Sequence, residues 1–257
     1  MSIDPVIFGT PHPVALVTGS GAPRVGNAVA RYLAARGYRI VVHANRSFDQ
    51  AQKTAESLRA GGSEAIALTA ELSDPTAVTD LVRDAQRHFG RIDALVNCAA
   101  IWERKPLEEV EADDVRRHFE VNTLGTFLTS QRVGLHMVEQ ETGGCIINFG
   151  DWASTRPYLD YAAYFPSKGS IEALTRDFAI ELAARNPRVR VNAVLPGPVM
   201  LPPDLPAGER AEAIAGTLVR REGSPLHVAD AVRFLLENDF VTGVCLPVDG
   251  GRTIQSH

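Results

Sequence analysis

Short apolar runs alternating with helical stripes constrain this chain more than any other feature. The runs are Val14-Ala15-Leu16-Val17-Thr18, Arg39-Ile40-Val41-Val42-His43, residues 65–69, Ala94-Leu95-Val96-Asn97, Cys145-Ile146-Ile147-Asn148-Phe149, residues 189–195 and residues 244–248. They are short, rich in branched side chains and mostly unbroken by polar residues, as strands buried on both faces are. Helical patterns lie between them. Val29, Tyr32 and Leu33 share a face that stops at Gly37, residues 48–60 are helical, and Val78, Leu81, Val82, Ala85 and Phe89 form a stripe ending at Gly90. Two helical segments span 106–139, with Asn122 in the second, and further helices cover about 207–219 and 225–237. Strand-helix alternation throughout predicts an α/β chain with a Rossmann-type, doubly wound parallel sheet and helices on both faces. No repeat, charged tail or linker divides the 257 residues, so one domain is expected over 1–257. Its cofactor half would be about 14–150 and its catalytic and substrate part about 151–257.

Composition narrows the partners. A net charge of −5 without a basic block argues against nucleic acid. Cys98, Cys145 and Cys245 are far apart in apolar runs, and no Cys-x-x-Cys spacing exists, so the reading is reduced, buried thiols and no metal. Residues 1–13 lack a basic start and a long apolar stretch, and no run is long enough to span a bilayer. A cytoplasmic protein acting on a small molecule, without membrane or nucleic-acid partners, is the expectation.

The first strand runs into the turn Gly19-Ser20-Gly21-Ala22-Pro23-Arg24-Val25-Gly26 and then a helix. Strand, glycine turn and helix form the context of a dinucleotide fingerprint. Glycines let the backbone approach a pyrophosphate, and the helix start offers free N–H groups. After the second strand, an NAD site usually carries an acid for the ribose 2′-hydroxyl, whereas arginine suits a 2′-phosphate. This chain has Ala44-Asn45-Arg46-Ser47, with no acid before Asp49. Arg46 and Ser47 offer a fork and a hydroxyl, and Arg24 a second cation, so NADPH/NADP is favoured. The alternative is that Arg46 is only solvated.

Past the Cys145 run, a loop leads to Tyr161-Ala162-Ala163-Tyr164-Phe165-Pro166-Ser167-Lys168, and the pattern continues through Ile171, Leu174 and Phe178. On a helix, Tyr164 and Lys168 at i, i+4 share a face. A phenol with a pKa near 10 is a poor proton carrier at neutral pH, and an ammonium beside it would lower that pKa. The pair falls on the helix after a strand, where open α/β sheets hold ligands.

Taken together, these residues resemble the short-chain dehydrogenase/reductase family across nearly the whole chain. The resemblance rests on Thr18-Gly19 to Gly26, Asn97-Cys98-Ala99-Ala100, Asn122, Tyr164-x-x-x-Lys168, Pro196-Gly197 and Asp249-Gly250-Gly251. It implies that Tyr164 is the acid-base residue and that Lys168 binds the nicotinamide ribose and lowers the Tyr164 pKa. Asn122 would hold a water in a proton relay, and Asn97 and Ala99 would lie near the cofactor. Glu71-Leu72 stands where the family commonly has an aspartate beside the adenine. The family is commonly tetrameric, which implies a homo-oligomer.

Two departures stand out. The glycine turn is one residue longer than the common pattern. The position thirteen residues before the tyrosine, usually a catalytic serine, is Asp151. Aspartate here resembles the pteridine reductase subgroup, including dihydromonapterin reductases, as do Arg24, Arg46-Ser47 and the run from Lys168-Gly169 to Leu174-Thr175-Arg176. Against a pterin, the stacking position of that subgroup holds Ile101, with Trp102 one residue on, and Ala99 replaces its serine. An ionised carboxylate only accepts hydrogen bonds. It would repel a developing alkoxide, but would accept an N–H of an amino-heterocycle and keep Tyr164 protonated. Three readings follow. The first is an NADPH-dependent pteridine or dihydropteridine reductase acting on a C=N bond. The second is a carbonyl reductase, acting for example on a 3-ketoacyl thioester or a sugar. The third is a catalytically silent NADPH sensor. The proline-rich segment 196–208 is expected to be a substrate lid, with Met200 and Leu201 over the substrate.

Overall fold

The computed structural model describes residues 5–255. Residues 1–4 and 256–257, and with them part of the N-terminal stretch expected to carry no export signal, lie outside the described residues. The short helix α1 (Pro5–Phe8) leads into β1 (Val14–Thr18), α2 (Val25–Ala34), β2 (Arg39–Ala44), α3 (Phe48–Ala60) and β3 (Ala65–Thr69). Then come α4 (Pro75–Phe89), β4 (Ala94–Asn97), α5 (Ala112–His118), α6 (Gly125–Glu139), β5 (Gly144–Phe149), α7 (Tyr164–Ala183), β6 (Val189–Pro196), α8 (Ala207–Ala215), α9 (Pro225–Glu237) and β7 (Cys245–Val248). All strand pairs are parallel, in the order β3-β2-β1-β4-β5-β6-β7.

Local chemistry explains the boundaries. Asp74 caps α4 by accepting from the N–H groups of Thr76 and Ala77, Pro75 occupies the first turn, and Gly90 ends the helix at φ +77°. The strands alternate as period two requires. Ala15 and Val17 join a core with α2, α3 and α9, while Val14 and Leu16 join one with α4, α6 and α7. Two helical layers therefore cover the sheet, which is why its strands read as continuous apolar runs.

The order reverses between β1 and β4, which opens a crevice beyond their carboxyl ends. Thr18 Oγ1 accepts from Ala99 N at 3.1 Å across that point. The helical stretch expected to break within 106–139 instead runs unbroken from Ala112 to Glu139. Its middle, Phe119–Leu124, widens to a π-helix that holds Asn122. Such widened turns recur at functional sites.

Candidate active site

The glycine turn is built for close approach. Gly19 has φ +63°, and a Cβ there would come within 2.9 Å of the Ala99 backbone; one at Gly26 would meet Gly19 O at 2.8 Å. His43, at the end of β2, fixes this turn and was not singled out from the sequence. Its Nδ1 accepts from Gly19 N at 3.1 Å, and its Nε2–H faces Ala70 O at 3.1 Å. Burial lowers its pKa to about 4, so the ring is neutral. The signal was one histidine in an otherwise apolar strand.

Arg24 directly precedes α2 and Val25 opens it; Arg24 is exposed, as are Asn45, Arg46 and Ser47 on the loop after β2. Among the described residues, no side-chain hydrogen bond or ion pair engages Arg24 or Arg46. Asn45 Nδ2 donates to Glu71 Oε2 at 2.7 Å, which joins the two loops that would flank an adenosine. Two expected cofactor residues turn inward. Leu72 is buried, with its Cβ 3.1 Å from where a Cβ on Gly125 would stand, so its side chain is core. Asn97 is spent on a buried knot: its Nδ2 donates to Ser130 Oγ and Asn148 Oδ1, and its Oδ1 accepts from Thr129 Oγ1. At the other wall, Gly197 N donates to Val248 O, tying the Pro196-Gly197 turn to β7.

The structure brings Asp151, Tyr164, Lys168 and Asn122 together around the start of α7, whose first turns bury Tyr164, Ser167 and Lys168. Tyr164 Oη donates to Asp151 Oδ2 at 2.8 Å, while Asp151 Oδ1 accepts from Ala153 N at 2.8 Å. Lys168 Nζ donates to Phe149 O at 2.7 Å. Asn122 is fully buried. Its amide exchanges bonds with the main chain of Ile101, at 2.8 and 3.0 Å, and donates to Ser167 Oγ at 3.0 Å. The asparagine thus locks the loop after β4 against α7.

The electrostatics correct one expectation. Tyr164 is not made more acidic by Lys168. Burial, then the charge and hydrogen bond of Asp151, push its pKa well above the ordinary phenol value. The ammonium points to a carbonyl, and burial lowers its own pKa to about 8, opposed by Asp151. Asp151 is raised above the usual carboxylate range because burial outweighs its hydrogen bonds and Lys168.

Aromatic rings surround the phenol. Trp102 stacks on Tyr161 at 5.0 Å with planes 7° apart, and Tyr161 stands edge-on to Tyr164 at 6.3 Å. Trp152 lies nearly parallel to Tyr158 at 6.3 Å. Trp102 therefore belongs to the cluster around the phenol. The main chain of Ile101, the counted stacking position, is held by Asn122. Met200 is half exposed, and Leu201 N donates to Glu222 Oε1 at 3.1 Å. Trp152 and Tyr158 were missed because the loop 151–160 has no periodicity to place them. Among the described residues no cluster of metal ligands exists, and no helix is long and apolar enough to cross a membrane.

The crevice fits a nicotinamide dinucleotide: a cradle that excludes side chains at Gly19 and Gly26, a helix start, and two exposed arginines. The comparisons agree with that chemistry. The family described as enoyl-(acyl carrier protein) reductase matches residues 22–253. Versicolorin reductase 1 of Aspergillus parasiticus is 34% identical, over 93% of this chain and 95% of that protein. Carbonyl reductase family member 4 of Danio rerio is 35% identical, over 93% and 97%. A solved structure described as a short-chain alcohol dehydrogenase from Sinorhizobium meliloti 1021 superposes with a TM-score of 0.88 at 28% identity, covering 95% of this chain and 97% of that one. Fold and relatives define an oxidoreductase of the kind that uses NAD(P)(H). The chain belongs to the short-chain dehydrogenase/reductase family.

Proposed function

We propose that this protein is an NADPH-dependent carbonyl reductase. The observation that carries this reading is the buried Tyr164 hydroxyl, held protonated and bonded to Asp151 at 2.8 Å. A phenol that resists ionisation suits proton delivery in reduction better than proton removal in oxidation. The relatives named for versicolorin and carbonyl reduction point the same way. When bound, the dinucleotide supplies hydride to the carbonyl carbon. Tyr164 gives the proton to its oxygen, Lys168 holds the ribose side of the crevice, and Asn122 keeps the Ile101 loop against α7. Arg46, Ser47 and Arg24 would meet the 2′-phosphate that distinguishes NADPH. A homotetramer is part of this proposal.

Asp151 must act as a neutral acid in this scheme. Protonated, it donates a hydrogen bond to the carbonyl oxygen and frees the Tyr164 hydroxyl to do the same. Its raised pKa favours that form. Ionised, it accepts the phenol and repels a developing alkoxide. Ketone reduction should therefore rise as pH falls toward the Asp151 pKa. Asp151→Asn, a permanent donor, should flatten that limb of the profile and retain ketone turnover. Native-like pH dependence in Asp151→Asn would count against the scheme.

A second reading has its own support in the carboxylate. As an ionised acceptor, Asp151 would hold the N–H of a pteridine, with hydride going to a C=N carbon and the Tyr164 proton to nitrogen. NADPH oxidation followed with an acetoacetyl thioester, with simple ketones and with dihydrobiopterin separates the two. Pterin turnover that is lost in Asp151→Asn, with ketones untouched by the native enzyme, would replace the first reading by the second. No turnover on any of them would leave the sensor.

A further inference from the structure

The C-terminal turn is tied to the catalytic loop and to α8 at once. After β7, Asp249 folds the chain back by accepting from Gly251 N, Thr253 N and Thr253 Oγ1 at 2.6 to 2.9 Å. Three segments converge on this turn. The 197 loop presses on it so closely that a Cβ on Gly197 would lie 2.5 Å from Asp249 Cα. The segment after α8 meets it where Val219 N donates to Gly250 O at 3.2 Å. The catalytic loop meets it through Arg156, whose Nη1 donates to the carbonyls of Arg252 and Gln255 at 3.2 and 2.5 Å.

Arg252 makes the decisive pair of contacts. Its guanidinium lies over the Trp152 ring, 4.6 Å from the centroid, and Nη1 of the same group donates to Ala213 O in α8. Trp152 directly follows Asp151 and forms the short turn whose Ala153 N–H holds the Asp151 carboxylate. The Trp152 ring also lies against Tyr158 of the same loop and packs on the cluster that holds Tyr164. At the far end of the link, α8 buries none of its residues, so it has little packing of its own to hold it. A Cβ on Gly216, just past α8, would sit 2.5 Å from Arg252 Nη1, so the guanidinium occupies the space that a side chain there would need.

We propose that Arg252 is a positioning residue that couples α8 to the catalytic carboxylate. With α8 docked, the guanidinium is held flat on Trp152, and the loop keeps the Asp151 carboxyl beside Tyr164, where both can donate to one substrate oxygen. When α8 lifts, Arg252 loses Ala213 O and its hold on Trp152, and Asp151 leaves the phenol. The site is thereby competent only with α8 docked. The role assigned to Asp151 rests on the function proposed above.

The test uses the full-length protein with NADPH bound. Hydrogen exchange is followed in 151–156, in 207–215 and in β5 and β6. In Arg252→Ala both segments should exchange about tenfold faster together while the strands stay protected, because the contact that carries Trp152 onto α8 is lost from both. NADPH affinity should stay within about twofold because no cofactor residue is touched. With a ketone that the native enzyme reduces, kcat should fall by about ten- to a hundredfold and its Asp151-dependent pH limb should shift. Arg252→Lys keeps the charge but not the planar face, so α8 should recover protection more fully than 151–156. If Arg252→Ala does not fold, Arg252→Met carries the same comparison with the aliphatic stem kept. Native protection of 151–156 in the variant, or a native kcat and pH profile, would overturn the coupling. An enzyme inactive on every substrate would overturn the functional reading instead, and the exchange measurement would still decide the coupling.

Discussion

Asp151 changes from acceptor to donor with one proton, and Tyr164 reports which form is present. The phenol is buried, bonded to a carboxylate and raised in pKa, so its proton stays in place until a substrate oxygen takes it. Tyr164→Phe should lower kcat by about 10²–10⁴-fold, the usual weight of a general acid, with NADPH binding nearly unchanged. Steady-state rates and calorimetric titration check both halves; turnover above about a tenth of native would contradict the role. Tyr164 and Lys168 were legible from their spacing, and Asp151 from its offset. So was the effect of Asp151 in keeping Tyr164 protonated; that of Lys168 was not. Spacing placed an ammonium on the tyrosine's face, but the Phe149 carbonyl, contributed by β5, draws that ammonium away.

Elements supply what single residues cannot. The loop after β2 presents Arg46 and Ser47 to solvent at the crevice, with no protein partner to satisfy the guanidinium among the described residues. Arg46→Ala should weaken NADPH binding by about 1.5–3 kcal/mol, the range for a hydrogen bond to a charged group, and leave NADH binding unchanged. Equal affinities of the native protein for the two cofactors, measured by titration, would refute the preference. At the opposite end of the sheet, Asp93 just before β4 is fully buried. It accepts from Val14 N at 2.8 Å and pairs with Arg91, while its main chain bonds to Val14 and Cys145, so it staples β1, β4 and β5. Asp93→Ala would leave Val14 N without this acceptor and Arg91 without its carboxylate, and should destabilise the fold by about 3 kcal/mol in denaturant melts. Sequence reading gave Asp93 no role, because a polar residue before a strand is ordinary until the neighbouring strands are known.

At the scale of the whole molecule, large apolar side chains remain on the surface: Ile180 of α7 is 72% exposed, Leu226 of α9 59%, and Phe240 98%. Such residues on α7, on α9 and in the turn after α9 suit faces that copies of the chain would cover. Light scattering should therefore give a mass about four times the 27.8 kDa of one chain; a monomer at micromolar concentration would refute the tetramer. By itself the sequence determined the alternation, the parallel sheet, the glycine turn and the Tyr164–Lys168 spacing. These are local: a period of two or 3.6, a cap or a glycine is written within a few residues. Only the tertiary structure decided that Leu72 and Asn97 turn inward, that His43 braces Gly19, that Asp151 holds the Tyr164 hydroxyl and that Arg252 joins α8 to Trp152. Each of those depends on segments distant in the chain meeting in space, where burial and hydrogen-bond partners fix orientation and charge.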